Sequence, residues 1–175
     1  IPGMRTPAHV DANLAASDAP RLSPELLQAL RAHRWERDWQ VRGTSRSAEG
    51  VAAIEAAGLE AATADPNIPG TVLELCGDVT VVVWLLGSAR GDPEVVAAIH
   101  GPRLERLLEK LVDSPVRGFA YEAAGGVPEA QLRRGWEVVE RAAETWRIPV
   151  VAVAEEREAR GWADRAAVAV TGLPG

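Results

Sequence analysis

The sequence predicts an α/β fold: a parallel sheet with helices on both faces, in three layers. Three observations carry this. Strand-length apolar runs alternate with helix-length amphipathic runs along the 175 residues, the order that right-handed strand–helix–strand crossovers require. The run Val79-Thr80-Val81-Val82-Val83-Trp84-Leu85-Leu86 is β-branched and nearly continuous in apolar character, as a central strand buried on both faces must be. No repeat, low-complexity tract or composition shift interrupts the pattern, so one domain over 1–175 is expected.

Residues 1–7, with two prolines and a glycine, form a loose lead-in. Strands are expected at Ala8–Ala16, Gln40–Thr44, Leu59–Ala62, Val79–Leu86, Val116–Tyr121 and Pro149–Ala154. Helices are expected at Pro24–Trp35, Ala48–Ala57, Ile68–Leu75, Pro93–Val112, Pro128–Trp146 and Glu156–Val170. Ser23-Pro24-Glu25 opens the first helix with a cap, a first-turn proline and an acid, and Leu26, Leu27 and Leu30 follow on one face. Asp92-Pro93-Glu94 repeats that opening, and Gly58 closes the second helix. His100-Gly101-Pro102 breaks or kinks the long helix, after which Leu104, Leu107, Leu108 and Leu111 line one face. Arg103, Glu105, Arg106, Glu109 and Lys110 form the solvated opposite face.

Composition excludes several functions. The net charge of -6, with arginines interspersed among acids, argues against nucleic-acid binding. The longest apolar run is too short to span a bilayer and no signal segment opens the chain, so a cytoplasmic location is expected. The single cysteine, Cys76, permits no intrachain disulfide and reads as a small buried hydrophobe. Arginine-over-lysine usage and abundant alanine are typical of a GC-rich, bacterial genome. His9, His33 and His100 have no metal-ligand spacing and read as surface residues, with His100 kept as a minor candidate because it lies in a helix break. No nucleophile elbow or phosphate loop is present.

The order of elements over Ala8–Ala154 resembles the short-chain dehydrogenase/reductase superfamily, in its atypical or extended branch of epimerase/dehydratase-like proteins. The resemblance implies a Rossmann-like doubly wound sheet of about six strands in the order 3-2-1-4-5-6. Three local matches carry it. Val41-Arg42-Gly43-Thr44-Ser45-Arg46-Ser47 ends the second strand with arginines, and a guanidinium there, Arg46 before Arg42, would grip a ribose 2′-phosphate and favour NADP over NAD. Asp65, in Thr63-Ala64-Asp65-Pro66, stands where relatives reach the adenine edge; it is equally a turn former. Gly87 and Ser88 follow the central strand where relatives face the cofactor, while Trp84 fills volume that relatives leave open.

Two departures oppose a working redox site. The glycine fingerprint G-x-x-G-x-x-G falls on Ser17, Pro20 and Ser23, which lose the room and the conformations that glycine provides. The two serine hydroxyls could still hold an anion, whereas Pro20 removes an N–H donor and Asp18 repels phosphate. The family's catalytic tyrosine and lysine, four residues apart after the fifth strand, have no counterpart in Pro128–Trp146. The chain's single tyrosine, Tyr121, and single lysine, Lys110, stand elsewhere. Tyr121 and Glu122, beside the loop Gly125-Gly126, remain as non-standard catalytic candidates.

The leading expectation is therefore a Rossmann-like domain with a degenerate dinucleotide site, acting in binding, regulation or assembly without standard redox turnover. The alternative is an NADP-binding oxidoreductase or epimerase/dehydratase-like enzyme using non-standard residues; a flavin or mononucleotide in the same crevice is a third. Partners would be a small-molecule or nucleotide ligand and, by resemblance, a second copy through Pro93–Val112 and Pro128–Trp146. The six tryptophans read first as helix-to-sheet packing and second as a partner surface. Glu155-Glu156 reads as the acidic start of the last helix.

Overall fold

The computed structural model describes residues 6–8, 11, 23–26, 39–155 and 157–173. The chain divides into two compact units, Ile1–Gln40 and Val41–Gly175. In the first unit, residues 24–26 are helical, and Ser23 Oγ caps them by accepting the Leu26 N–H at 3.2 Å. The strand expected over Ala8–Ala16 is corrected where it is described: Ala8 and Asp11 are helical. That stretch is alanine-rich with one β-branched residue, Val10, a composition that favours helix over strand. Residues 9, 10 and 12–22, with Ser17 and Pro20 among them, lie outside the described residues.

The second unit alternates strand and helix. It runs β1 (Arg42–Ser45), α1 (Ala48–Ala56), β2 (Glu60–Thr63), α2 (Pro69–Leu73), β3 (Val81–Trp84), α3 (Pro93–Ile99), α4 (Pro102–Leu111), β4 (Gly118–Glu122), α5 (Glu129–Trp146), β5 (Val150–Val153) and α6 (Trp162–Thr171). All strand pairings are parallel. Among the described residues they form a two-stranded sheet, β1-β2, and a three-stranded sheet, β3-β4-β5, rather than one six-stranded sheet.

The helix ends follow the sequence signals. Asp92 accepts the N–H groups of Glu94 and Val95 at the start of α3, and Gly58, at φ 79°, follows α1. The expected long helix breaks at His100-Gly101-Pro102 into α3 and α4, because proline cannot continue the hydrogen-bond ladder. Glu155 does not start the last helix. Instead α6 begins at Trp162 and Glu155 pairs with Arg165.

β4 runs through the middle of its sheet, and all five of its residues are buried. Residues paired in register share a face, so Val82 and Phe119, like Trp84 and Tyr121, point to the same side. On that side they meet Leu104, Leu107, Leu108 and Leu111 of α4 and Val138 and Val139 of α5. The four leucines are fully buried, each contributing roughly 2 kcal/mol. Cys76 is buried, as expected, with its thiol directed to the Val72 carbonyl at 3.2 Å. Trp84 is buried in this core, and Trp136 and Trp146, partly buried, pack against it.

Candidate functional site

In an open parallel α/β sheet, ligands bind beyond the carboxyl ends of the strands. The loops after β3 and β4 meet there, backbone to backbone. A Cβ on Gly87 would lie 2.2 Å from the Ala124 carbonyl oxygen, and one on Gly125 would lie 2.5 Å from the Gly87 carbonyl oxygen. Gly125 also has φ 142°, a conformation that side-chain-bearing residues rarely adopt. The Val127 N–H donates to Gly87 O at 2.9 Å, closing the junction.

Tyr121 and Glu122, the last two residues of β4, point to opposite faces of the sheet. Tyr121 enters the core. Its hydroxyl lies 2.7 Å from His100 Nδ1 and 3.2 Å from the Leu132 carbonyl oxygen. His100 Nε2 lies 3.1 Å from the Leu86 carbonyl, which can only accept, so Nε2 carries the hydrogen and Nδ1 is an acceptor, sharing the one Tyr121 hydrogen with the Leu132 carbonyl. Gly135 of α5 makes the room: a Cβ there would sit 2.0 Å from the tyrosine oxygen. Burial pushes the tyrosine well above its ordinary range, with the Glu122 charge adding to it, and lowers the histidine below its own. His100 is thus a buried member of the core rather than the surface residue its sequence position implied.

Glu122 is fully buried, and its carboxylate accepts from three N–H donors. The Gly87 N–H reaches Oε2 at 2.6 Å. Arg157 reaches Oε1 through Nε at 2.5 Å and Oε2 through Nη2 at 3.0 Å. Nη2 also donates to the Leu85 carbonyl at 2.7 Å. The guanidinium lies over the Trp162 ring, 5.7 Å from its centroid, and the indole N–H donates to Glu155 O at 3.0 Å. The chain after β5 is thereby fastened across the ends of β3 and β4. Arg157 was not singled out from the sequence: its partner is a carboxylate 35 residues away, and no local motif marks it.

The other predicted residues divide. Ser88 is exposed on the β3 loop beside Gly125, and buried Gly87 donates to Glu122. Arg46 is exposed just past the carboxyl end of β1, where Ser47 caps α1 through its hydroxyl. Arg42 stands at the opposite, amino end of β1. Its guanidinium is held by Glu60 at 2.6 Å, Asp78 at 2.8 Å and the Leu75 carbonyl at 2.9 Å, which ties the two-stranded sheet to the segment leading into β3. Asp65 follows β2, but its Oδ1 accepts from the backbone and side chain of Asn67, so it shapes a turn. Ser23 is exposed in the first unit, and Ser17 lies outside the described residues. Lys110 is exposed on α4. Among the described residues no cluster of His, Cys, Asp and Glu could hold a metal, and no helix is long and apolar enough to cross a membrane.

No family model matches the chain, and no curated protein sequence does either. Solved structures do match in fold. A Citrobacter sp. triphenylmethane reductase complexed with NADP(H) aligns at TM-score 0.50 and 18% identity, over 66% of this chain and 40% of its own. The protein gox2253 aligns at TM-score 0.54 and 17% identity, over 73% and 45%. A Bacillus cereus UDP-glucuronic acid 4-epimerase, in complex with NAD and a fluorinated UDP-sugar, aligns at 0.50 and 16%, over 73% and 51%. The chain thus spans about half the length of these structures or less. At such identities the likeness is one of fold alone: the chain shares a Rossmann-like parallel α/β architecture with these structures.

Proposed function

We propose that the chain is a Rossmann-type domain whose dinucleotide site is degenerate and whose role is binding, regulation or assembly, without the redox turnover of its structural relatives. One observation carries this. The chain's single tyrosine is sealed in the core by His100, Leu132 and Gly135, and its single lysine is on the exposed side of α4. The proton-exchanging pair of the resembled enzymes cannot be assembled from them. Helix α5, which follows β4, contains neither residue type. Glu122, the other catalytic candidate, is already engaged by three donors.

The proposal includes the sheet order 3-2-1-4-5-6. In it, β2-β1 supply positions 3-2 and β3-β4-β5 supply positions 4-5-6. The nucleotide-binding relatives support a nucleotide-class ligand, and the exposed Arg46 at the β1 end supports NADP over NAD. Calorimetric titration with NADP, NADPH, NAD and NADH tests the reading: weak or absent binding is expected, and micromolar binding of any of them would overturn it. Any residual NADP binding should lose about 1–3 kcal/mol in Arg46→Ala, the scale of a charged hydrogen bond; an unchanged affinity removes Arg46 from the site.

A further inference from the structure

We propose that Arg157 is a preset anchor for an anionic oxygen group, phosphoryl or carboxylate, at the carboxyl edge of the three-stranded sheet, and that Glu122 positions it. The guanidinium has two working edges. The Nε hydrogen and both Nη2 hydrogens are taken up by Glu122 and Leu85 O. Nη1, with its two N–H groups, makes no hydrogen bond among the described residues, while the side chain is 40% exposed. The Trp162 ring lies against the guanidinium. An arginine held this way has already lost most of its rotamer freedom, so an arriving anion has little ordering cost to meet.

The geometry separates the two partners by function. Glu122 is fully buried, and parting it from the guanidinium would strand a charge without water. An anion therefore does not displace Glu122; it adds to the N–H groups of Nη1. Because Glu122 already balances the charge, the anchor acts through directed N–H donors rather than through net attraction, and lysine cannot replace it. Ser88 stands exposed on the adjoining β3 loop, Glu155 is occupied by Arg165, and Glu158 is the nearby acid that favours the charged guanidinium and opposes a second anion. The site does not rest on the dinucleotide reading.

The test is an NMR titration of the arginine side-chain N–H signals of the intact chain. Sodium pyrophosphate and sodium malonate are added separately at constant ionic strength. The Arg157 signal should shift saturably with at least one of them while the Arg141 signal stays still. Arg157→Lys should weaken binding about tenfold or more. Glu158→Gln should tighten it a few-fold, and Glu122→Gln should weaken it while the Arg157 signal broadens as the guanidinium begins to rotate. No saturable Arg157 shift with either anion, or an unchanged affinity in Arg157→Lys, overturns the proposal. Should Arg157→Lys fail to fold, Glu158→Gln decides: an unchanged or weaker affinity counts against the anchor.

Discussion

Replacing Gly135 by alanine tests the sealed tyrosine from the helix side. In most helix interiors this exchange stabilises by up to about 1 kcal/mol, because glycine has the greater entropy to lose. Here the new Cβ would lie 2.0 Å from the Tyr121 oxygen, 2.7 Å from Cζ and 3.1 Å from the His100 carbonyl. Overpacking of a fixed core typically costs about 1–3 kcal/mol. Moving the hydroxyl also parts it from His100 Nδ1, at about 1–3 kcal/mol for a buried acceptor left unpaired. Gly135→Ala should therefore destabilise by about 1–5 kcal/mol net of the helix gain, read as the urea midpoint at unchanged slope. Tyr121→Phe removes the clashing oxygen, so Tyr121→Phe with Gly135→Ala should cost less than the sum of the singles by at least about 1 kcal/mol. A stabilised Gly135→Ala, or strict additivity, would refute the packing argument.

Three further predictions follow from the same geometry. Burial holds His100 below its ordinary pKa in the folded chain, so the unfolded chain binds the extra proton first, and stability should fall as pH drops below about 6.5 toward the lowered native value. His100→Gln should flatten the difference between urea midpoints at pH 7.5 and 5.5; an unchanged difference removes His100 as its cause. Arg157→Ala leaves the buried Glu122 carboxylate with Gly87 N–H as its remaining donor and should cost about 3–5 kcal/mol, the scale for a broken buried pair. Much of that should be recovered when Glu122→Gln is added; a loss below about 1 kcal/mol by denaturant unfolding would show that the pair is not coupled as drawn. Gly87→Ala should destabilise as strongly by driving a Cβ into the Ala124 carbonyl, and wild-type thermal unfolding would count against the close loop junction.

The elements that were legible from sequence carry strong local signals. Val81–Trp84 was marked by consecutive β-branched residues, α4 by its leucine face, and the helix break by Gly101-Pro102. Ala8 and Asp11 are helical where a strand is expected, in keeping with the alanine content around them. At the site, Tyr121, Glu122 and Gly87 were found from their positions at strand ends, but their roles were not. Whether Tyr121 faces solvent depends on Gly135 and His100, and whether Glu122 is free depends on Arg157. Arg42 shows the same limit: its place beside Arg46 suggested a phosphate grip, yet it stands at the other end of β1, bound to Asp78 and Glu60.

Because the chain has one tyrosine, its ionisation can be read without ambiguity. Alkaline titration followed by phenolate absorbance, with circular dichroism recorded in parallel, tests directly whether Tyr121 is structural. Burial raises its pKa in the folded chain, so phenolate should appear only together with loss of the native dichroism. A phenolate signal that titrates reversibly near or below the ordinary value of about 10, while the dichroism stays native, would contradict the account and return Tyr121 to the catalytic candidates.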